Sequence, residues 1–308
     1  MPFRKQLTLF DDYRDMLEDR VRMDAYERAI ATTVRPGDRV LDLGAGLGIL
    51  GFLALRAGAS RVYAIEQSDS IELARRVAQH NGLADRVEFL AANSLDCTLD
   101  PVDVLVSETL GSFGVEENTL PFTIDARRRL LKPDGAMLPR RLRVFLAPIE
   151  APQSWERLGF WLDVAGIDYA PAVDEILSRM SLADVTPDQL LAAPRVYADL
   201  DLRTLESPSL DSTVLFPIRR RGAVHGLAGW FEAELADGVA IRTGPDDPST
   251  HWRQAFFPVR DPVPLREGDF MEVTLSVEPK GPRSDDTVVC YDYRCTQIGG
   301  RILAPEVP

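Results

Sequence analysis

The sequence predicts an α/β protein in two parts. Residues 1–139 form a doubly wound domain, and residues 140–308 an antiparallel β-barrel domain with a helical arm at about 153–191. Three observations carry this prediction. In the first third, short apolar runs alternate with stretches of helical spacing, the mark of repeated β-α units and a largely parallel sheet. The first of those runs enters a glycine turn, Gly44-Ala45-Gly46-Leu47-Gly48. Past Pro139 the hydrophobic period falls to two, with Pro and Gly between runs, as antiparallel strands require.

Residues 39–43 are a short apolar strand that leads into the turn. Residues 49–56 read as a buried helix closed by Ala57-Gly58, where glycine suits a left-handed cap. Residues 61–65 are a second strand, ending at Glu66. An amphipathic helix over 68–81 is capped by Ser68 or Asp69 and stopped by Asn81-Gly82. Residues 86–91 and 102–106 are the third and fourth strands. A helix over 118–131 ends at Lys132-Pro133-Asp134-Gly135. Period-two runs follow at 144–146, 224–235, 254–259 and 270–277. Between them, helical spacing over 153–191 includes Trp155, Leu158, Leu162, Ile176, Leu177 and Met180. Such an insert covers either a partner subunit or its own domain.

Composition narrows the function. A net charge of -13 argues against a nucleic-acid surface and favours a cationic substrate. No apolar run reaches the length of a membrane span, and the first residues lack the apolar core of a signal peptide. The three cysteines (Cys97, Cys290, Cys295) and three histidines (His80, His225, His251) are too scattered for a metal site. An odd cysteine count without a leader points to reduced thiols in the cytoplasm.

A glycine turn after a first strand lets backbone approach a ligand and aims a helix N-terminus at it. Gly44, Gly46 and Gly48 start at the strand end. The alternative frame through Gly51 starts later and places Gly51 inside the helix. Glu66, closing the second strand, is placed to accept ribose hydroxyls. Together with Asp42 these residues suit an adenosine-type ligand.

The loop after the fourth strand carries Glu108 and Glu117. Carboxylates at that strand exit sit where open α/β sheets bind ligands. Held together they would repel, unless a cation lies between them. A guanidinium fits best, because its planar fork accepts carboxylates two bonds at a time. The alternative is a pair of solvated side chains.

The segment Val40-Leu41-Asp42-Leu43-Gly44-Ala45-Gly46-Leu47-Gly48 resembles motif I of the class I S-adenosylmethionine methyltransferases, whose core is Rossmann-like. Within that superfamily the chain resembles the protein arginine methyltransferases. Three segments carry this: Met16-Leu17-Glu18-Asp19-Arg20-Val21-Arg22, the two-glutamate loop with its nine-residue separation, and Thr250-His251-Trp252. The resemblance spans about Phe10 to Asp292. It implies S-adenosylmethionine as cofactor and an arginine guanidino nitrogen, in protein, peptide or free arginine, as methyl acceptor. Arg22 would bind the cofactor carboxylate, Asp42 with Gly44, Gly46 and Gly48 its amino end, and Glu66 its ribose. Ser94 and Asp96, in the segment 93–96, would flank the adenine. Glu108 and Glu117 would clamp the guanidinium, and His251 would pair with Asp19 as a proton route. Tyr13, Met16 and Trp252 would wall the substrate pocket. The insert would be a dimerisation arm, implying a homodimer.

The chain also departs from the family pattern. Leu9-Phe10-Asp11-Asp12-Tyr13 lacks the first tyrosine of the N-terminal aromatic motif. Thr109-Leu110 stands where asymmetric dimethylating members carry Trp-Met, and Thr119 where a pocket methionine is expected. Degree and symmetry of methylation therefore stay open. Alternative readings are a methyltransferase for another small molecule, a non-catalytic cofactor-binding scaffold, and, furthest out, a nicotinamide oxidoreductase. No appended recognition domain is expected before Phe10.

Overall fold

Strands β1 (Arg39–Leu43), β2 (Arg61–Glu66), β3 (Val87–Ala91), β4 (Val102–Ser107) and β5 (Leu131–Leu138) make one parallel sheet, ordered β3-β2-β1-β4-β5. The structure, a computed structural model, describes residues 2–177, 179–281, 287–297 and 302–303. Val40, Leu41, Val104, Leu105 and Val106 are buried, as expected for strands covered on both faces. Strand order reverses between β1 and β4, which opens a crevice at their carboxyl ends.

Helices α1 (Pro2–Glu18) and α2 (Arg20–Thr33) precede the sheet; α3 (Ile49–Ala57), α4 (Ser70–His80) and α5 (Thr119–Leu130) connect its strands. Asp19 separates α1 from α2 and caps α2, its side chain accepting the Arg22 N–H. Tyr26 of α2 is fully buried and donates its hydroxyl to the Ser107 carbonyl, tying α2 to the end of β4. Gly58 ends α3 in the left-handed conformation, as expected. The α4 helix begins at Ser70, two residues later than its sequence suggests, because Ser68 turns to meet the Ser70 hydroxyl.

One element differs in kind. Residues 132–135 do not merely stop a helix; they lie inside β5. Val102 pairs with Leu131 and Val104 with Ala136, so the intervening residues are accommodated by a register shift. β5 is an edge strand, where proline and a bulge are tolerated.

Beyond Pro139 the strands are β6 (Arg141–Ile149), β7 (Ser181–Ala183), β8 (Arg195–Asp201), β9 (Leu210–Pro217), β10 (Gly222–Ala236), β11 (Val239–Arg242), β12 (Gln254–Leu265), β13 (Phe270–Pro279), β14 (Thr287–Thr296) and β15 (Ile302–Leu303). They form two antiparallel sheets, ordered β7-β12-β10-β6-β8 with β11 on β10, and β15-β14-β13-β9. Phe216, Phe231, Phe257 and Leu275 share a core that is continuous with the parallel sheet. The insert forms α6 (Pro152–Gly159) and α7 (Ala170–Leu177), leaving Phe160 and Ile167 exposed. Helical structure does not run on to residue 191. At β7 the chain instead pairs with β12, Ala183 opposite Gln254, and a short 3-10 turn follows at Pro187–Gln189.

Candidate active site

A cavity of about 460 Å³ opens at the carboxyl ends of β1, β2, β3 and β4. Its floor is the glycine turn 44–47, and its sides come from residues 65–67, 92–94, Glu108 and Thr109. Tyr13, Met16 and Leu17 of α1 cover it, with Arg22 beside them. Gly44 and Gly46 have φ of 72° and 52°, a region that side chains disfavour. A Cβ on Gly44 would also lie 2.6 Å from Thr109 Cγ2. Glu66 holds the turn: Oε2 accepts the Gly46 N–H at 3.0 Å and Oε1 the Ser68 N–H at 2.7 Å.

Three expected cofactor residues do not line this cavity. Asp42 is buried behind the turn, where Oδ2 accepts the Gly51 N–H at 2.8 Å. Burial, aided by the charge of Glu66, pushes its carboxyl up to about 7. Gly48 caps α3 at φ 82°, with the Phe52 ring packed where a Cβ would sit. Asp96 is exposed at the end of the short 3-10 turn Ser94–Asp96, while Asn93 and Ser94 do reach the wall. Asp42 and Gly48 therefore shape the turn rather than touch what it holds.

A wider cleft, about 970 Å³, lies on the other side of Glu108 and Glu117. Asp19, His251 and Trp252 line it, along with acidic residues of α1 such as Asp12 and Asp15. Met16, Glu108 and Glu117 border both spaces, so cavity and cleft meet at the glutamates.

The loop between β4 and α5 is built by local bonds. Glu108 Oε1 accepts the Leu110 N–H at 3.3 Å. Phe113 is fully buried among residues of the antiparallel part, its ring 5.9 Å from Tyr197 and 5.1 Å from Phe257. A Cβ on Gly229 would lie 2.5 Å from the Phe113 ring, so glycine on β10 makes room for it. Glu116, which the sequence did not single out, braces the loop from inside. Its Oε1 accepts the Phe113 N–H at 2.8 Å and its Oε2 the Val115 N–H at 3.1 Å. Burial outweighs those bonds and pushes its carboxyl above the usual range. The signal available was three glutamates in one loop, which cannot all face a single ligand. Thr119 is buried and donates its hydroxyl to the Thr109 carbonyl, so it ties the loop shut.

Two ion pairs cross the site. Arg22 Nε and Nη2 lie 2.8 Å and 2.6 Å from Glu108 Oε2, with both side chains buried. This pairing was not foreseen from the sequence. On the cleft side, the His251 N–H donates to Asp19 Oδ2 at 3.0 Å, and His251 Nδ1 lies 2.8 Å from the same oxygen. Burial opposes ionisation of Asp19, but the bonds from His251 and the Arg22 backbone hold its carboxyl below the usual range. Trp252 is buried, donates Nε1–H to the Leu110 carbonyl, and packs at a tilt of 38° on His251, ring centroids 4.1 Å apart. Thr250 Oγ1 beside them is buried without a partner among the described residues.

The parallel sheet, its glycine turn and an adjoining carboxylate-walled cleft mark an α/β enzyme with a site for a nucleoside-type cofactor. Comparison with known proteins narrows this. Residues 35–172 match a methyltransferase domain, and residues 140–297 match the arginine methyltransferase oligomerization subdomain. The chain therefore belongs to the protein arginine methyltransferase family. It is 32% identical to protein arginine N-methyltransferase 1 of Schizosaccharomyces pombe, over 88% of this chain and 84% of that one. It is 30% identical to a probable protein arginine N-methyltransferase 6 of Arabidopsis thaliana, over 88% and 74%. Among solved structures it resembles the Trypanosoma brucei PRMT1 enzyme-prozyme heterotetrameric complex with AdoHcy. That match has a TM-score of 0.83 and 25% identity over 94% of this chain and 96% of that one. Arabidopsis thaliana protein arginine methyltransferase 10 gives 0.80 and 26% identity over 95% of each chain.

Proposed function

We propose that this protein transfers a methyl group from S-adenosylmethionine to an arginine guanidino nitrogen, in a protein, a peptide or free arginine, at the junction of cavity and cleft. The observation that carries this reading is that Glu108 and Glu117 border both spaces. The cavity suits the cofactor by size and by donor set: a left-handed glycine turn, the Glu66 carboxylate, and Arg22 on the wall. When bound there, S-adenosylmethionine supplies an electrophilic methyl on a sulfonium.

The residues of the chain do the rest. A guanidinium stays protonated at working pH, with its lone pairs delocalised. Glu108 and Glu117 hold it by charge-assisted bonds and fix one nitrogen in line for attack. They draw positive charge toward the other nitrogens, which leaves the attacking one more nucleophilic. Arg22 supports this reading, since its own guanidinium already shows Glu108 accepting such a group. Met16 and Trp252 wall the position, with Tyr13 over the cavity. His251, tied to Asp19 through Nδ1, leaves Nε2 to take the proton released on methylation. The acidic residues along α1 favour a cationic partner.

The exposed Phe160 and Ile167 on the arm, within the matched oligomerization subdomain, support a homodimer. The free thiols Cys97, Cys290 and Cys295 accord with a cytoplasmic location. The test is a mass-resolved assay with labelled S-adenosylmethionine, offering free arginine and arginine peptides. Methylation at an arginine nitrogen is expected. Glu108→Gln and Glu117→Gln should each lower kcat/KM by about 10²-fold or more. Undiminished turnover in both variants would overturn the proposal.

A further inference from the structure

The clamp loop is held from outside its own domain. We infer that Thr287, acting through Asn118, is a positioning residue for Glu117, so that β14 sets the geometry of the guanidinium clamp. The inference rests on the clamp reading above and adds a residue to it.

Asn118 follows Glu117 directly and caps α5. It is buried, with φ 56° and ψ 25°, a left-handed conformation that asparagine tolerates better than most residues. Such a conformation persists where its surroundings hold it. Here the holding groups come from the antiparallel part. The Asn118 N–H donates to Thr287 Oγ1 at 3.0 Å, and Asn118 Nδ2 donates to the Gly281 carbonyl at 3.3 Å. The Thr287 hydroxyl lies 3.3 Å from Asn118 Oδ1 and 3.5 Å from the Val115 carbonyl, either of which takes its proton. Thr287 thus bonds to residues on both sides of Glu116 and Glu117.

The chemistry explains why a brace is needed here. Glu117 is exposed, at the end of a loop that also carries Glu108 and Glu116. Arg22 holds Glu108 and backbone amides hold Glu116, and Glu117 is placed by the backbone beside it. The Thr119 hydroxyl on the Thr109 carbonyl closes the loop from within, next to Glu108. The bonds from Thr287 fix the other end, so both termini of the loop are anchored without a substrate.

Thr287→Val keeps shape and removes the hydroxyl, as acceptor and as donor. We expect kcat/KM for an arginine peptide to fall about tenfold, as Glu117 loses the bonds that place its backbone. The dissociation constant for S-adenosylmethionine should not move. Thr287→Ser should restore activity. In a Glu117→Gln background, Thr287→Val should add nothing, because the group it positions is gone. If Thr287→Val does not fold, Asn118→Gly serves instead. It keeps the left-handed turn, loses the side-chain bonds to Gly281 and Thr287, and should lower kcat/KM with cofactor affinity unchanged. Wild-type kinetics in the folded variants, a fully additive loss in the double variant, or a parallel loss of cofactor affinity would overturn the inference. Glu117→Gln with wild-type turnover would fail the clamp reading first, and this inference with it.

Discussion

Asp42 shows how one carboxyl serves a site it never touches. It lies under the glycine turn and accepts the Gly51 N–H, and burial raises its carboxyl to about 7. A raised acid binds its proton more tightly in the folded state. Its stabilising contribution is complete below the unfolded value of 3.8 and disappears as pH rises through about 7. Thermal stability should therefore weaken from pH 4 toward 8, with a slope from this group of at most about 1.4 kcal/mol per pH unit. Asp42→Asn should flatten that slope; parallel curves for variant and wild type would refute the assignment. The position of Asp42 at a strand end was legible in the sequence, but the direction of its carboxylate was not. That direction depends on Gly51, where a Cβ would come within 3.0 Å of Asp42 Oδ2 and 2.8 Å of Val62 Cγ1. Contacts of this kind arise only after helix and strand have packed.

The loop between β4 and α5 behaves as a single element, with Glu116 as its internal brace. A Cβ on Gly111 would lie 2.3 Å from Glu116 Oε1. Gly111→Ala should therefore displace Glu116 from the Phe113 and Val115 amides. The expected cost is about 1–3 kcal/mol of stability, with kcat/KM reduced and cofactor affinity retained. Chemical denaturation paired with a cofactor titration checks this, and an unchanged denaturation midpoint would count against the brace. β1 to β4 and α3 were readable because they are short apolar runs, and turn residues such as Gly44 and Gly58 bound the first strand and the helix. β5 was not, since Lys132-Pro133-Asp134-Gly135 has turn chemistry and is tolerated only because the strand lies at a sheet edge. β7 escaped notice for a related reason: a three-residue strand, Ser181–Ala183, is defined by the neighbour it pairs with.

At the scale of the whole molecule, the site joins residues that are far apart in sequence. Asp19 meets His251, Leu110 meets Trp252, and Asn118 meets Thr287. The family motifs made the first partnership legible in the sequence. The second was half legible, since Trp252 belongs to a motif and the Leu110 carbonyl does not. The third has no motif and is visible only in three dimensions. The arm extends the argument to assembly. Sedimentation should give twice the chain mass of 34.2 kDa. Phe160→Asp combined with Ile167→Asp should shift the protein to the monomer, because a charge inside an apolar contact is left unpaired. A monomeric wild type would sink the dimer proposal.

The division of the site between its two parts also orders events on the ribosome. Every residue lining the cofactor cavity lies between Tyr13 and Phe122, and the parallel sheet is complete at Leu138. The cleft still lacks His251 and Trp252 at that point. Domains generally fold as units during synthesis, N-terminal first. A nascent chain therefore presents every residue of the cavity well before those of the cleft wall, although Phe113 of the β4–α5 loop must wait for Tyr197 and Phe257 to bury it. Competence to react is among the last properties that translation confers.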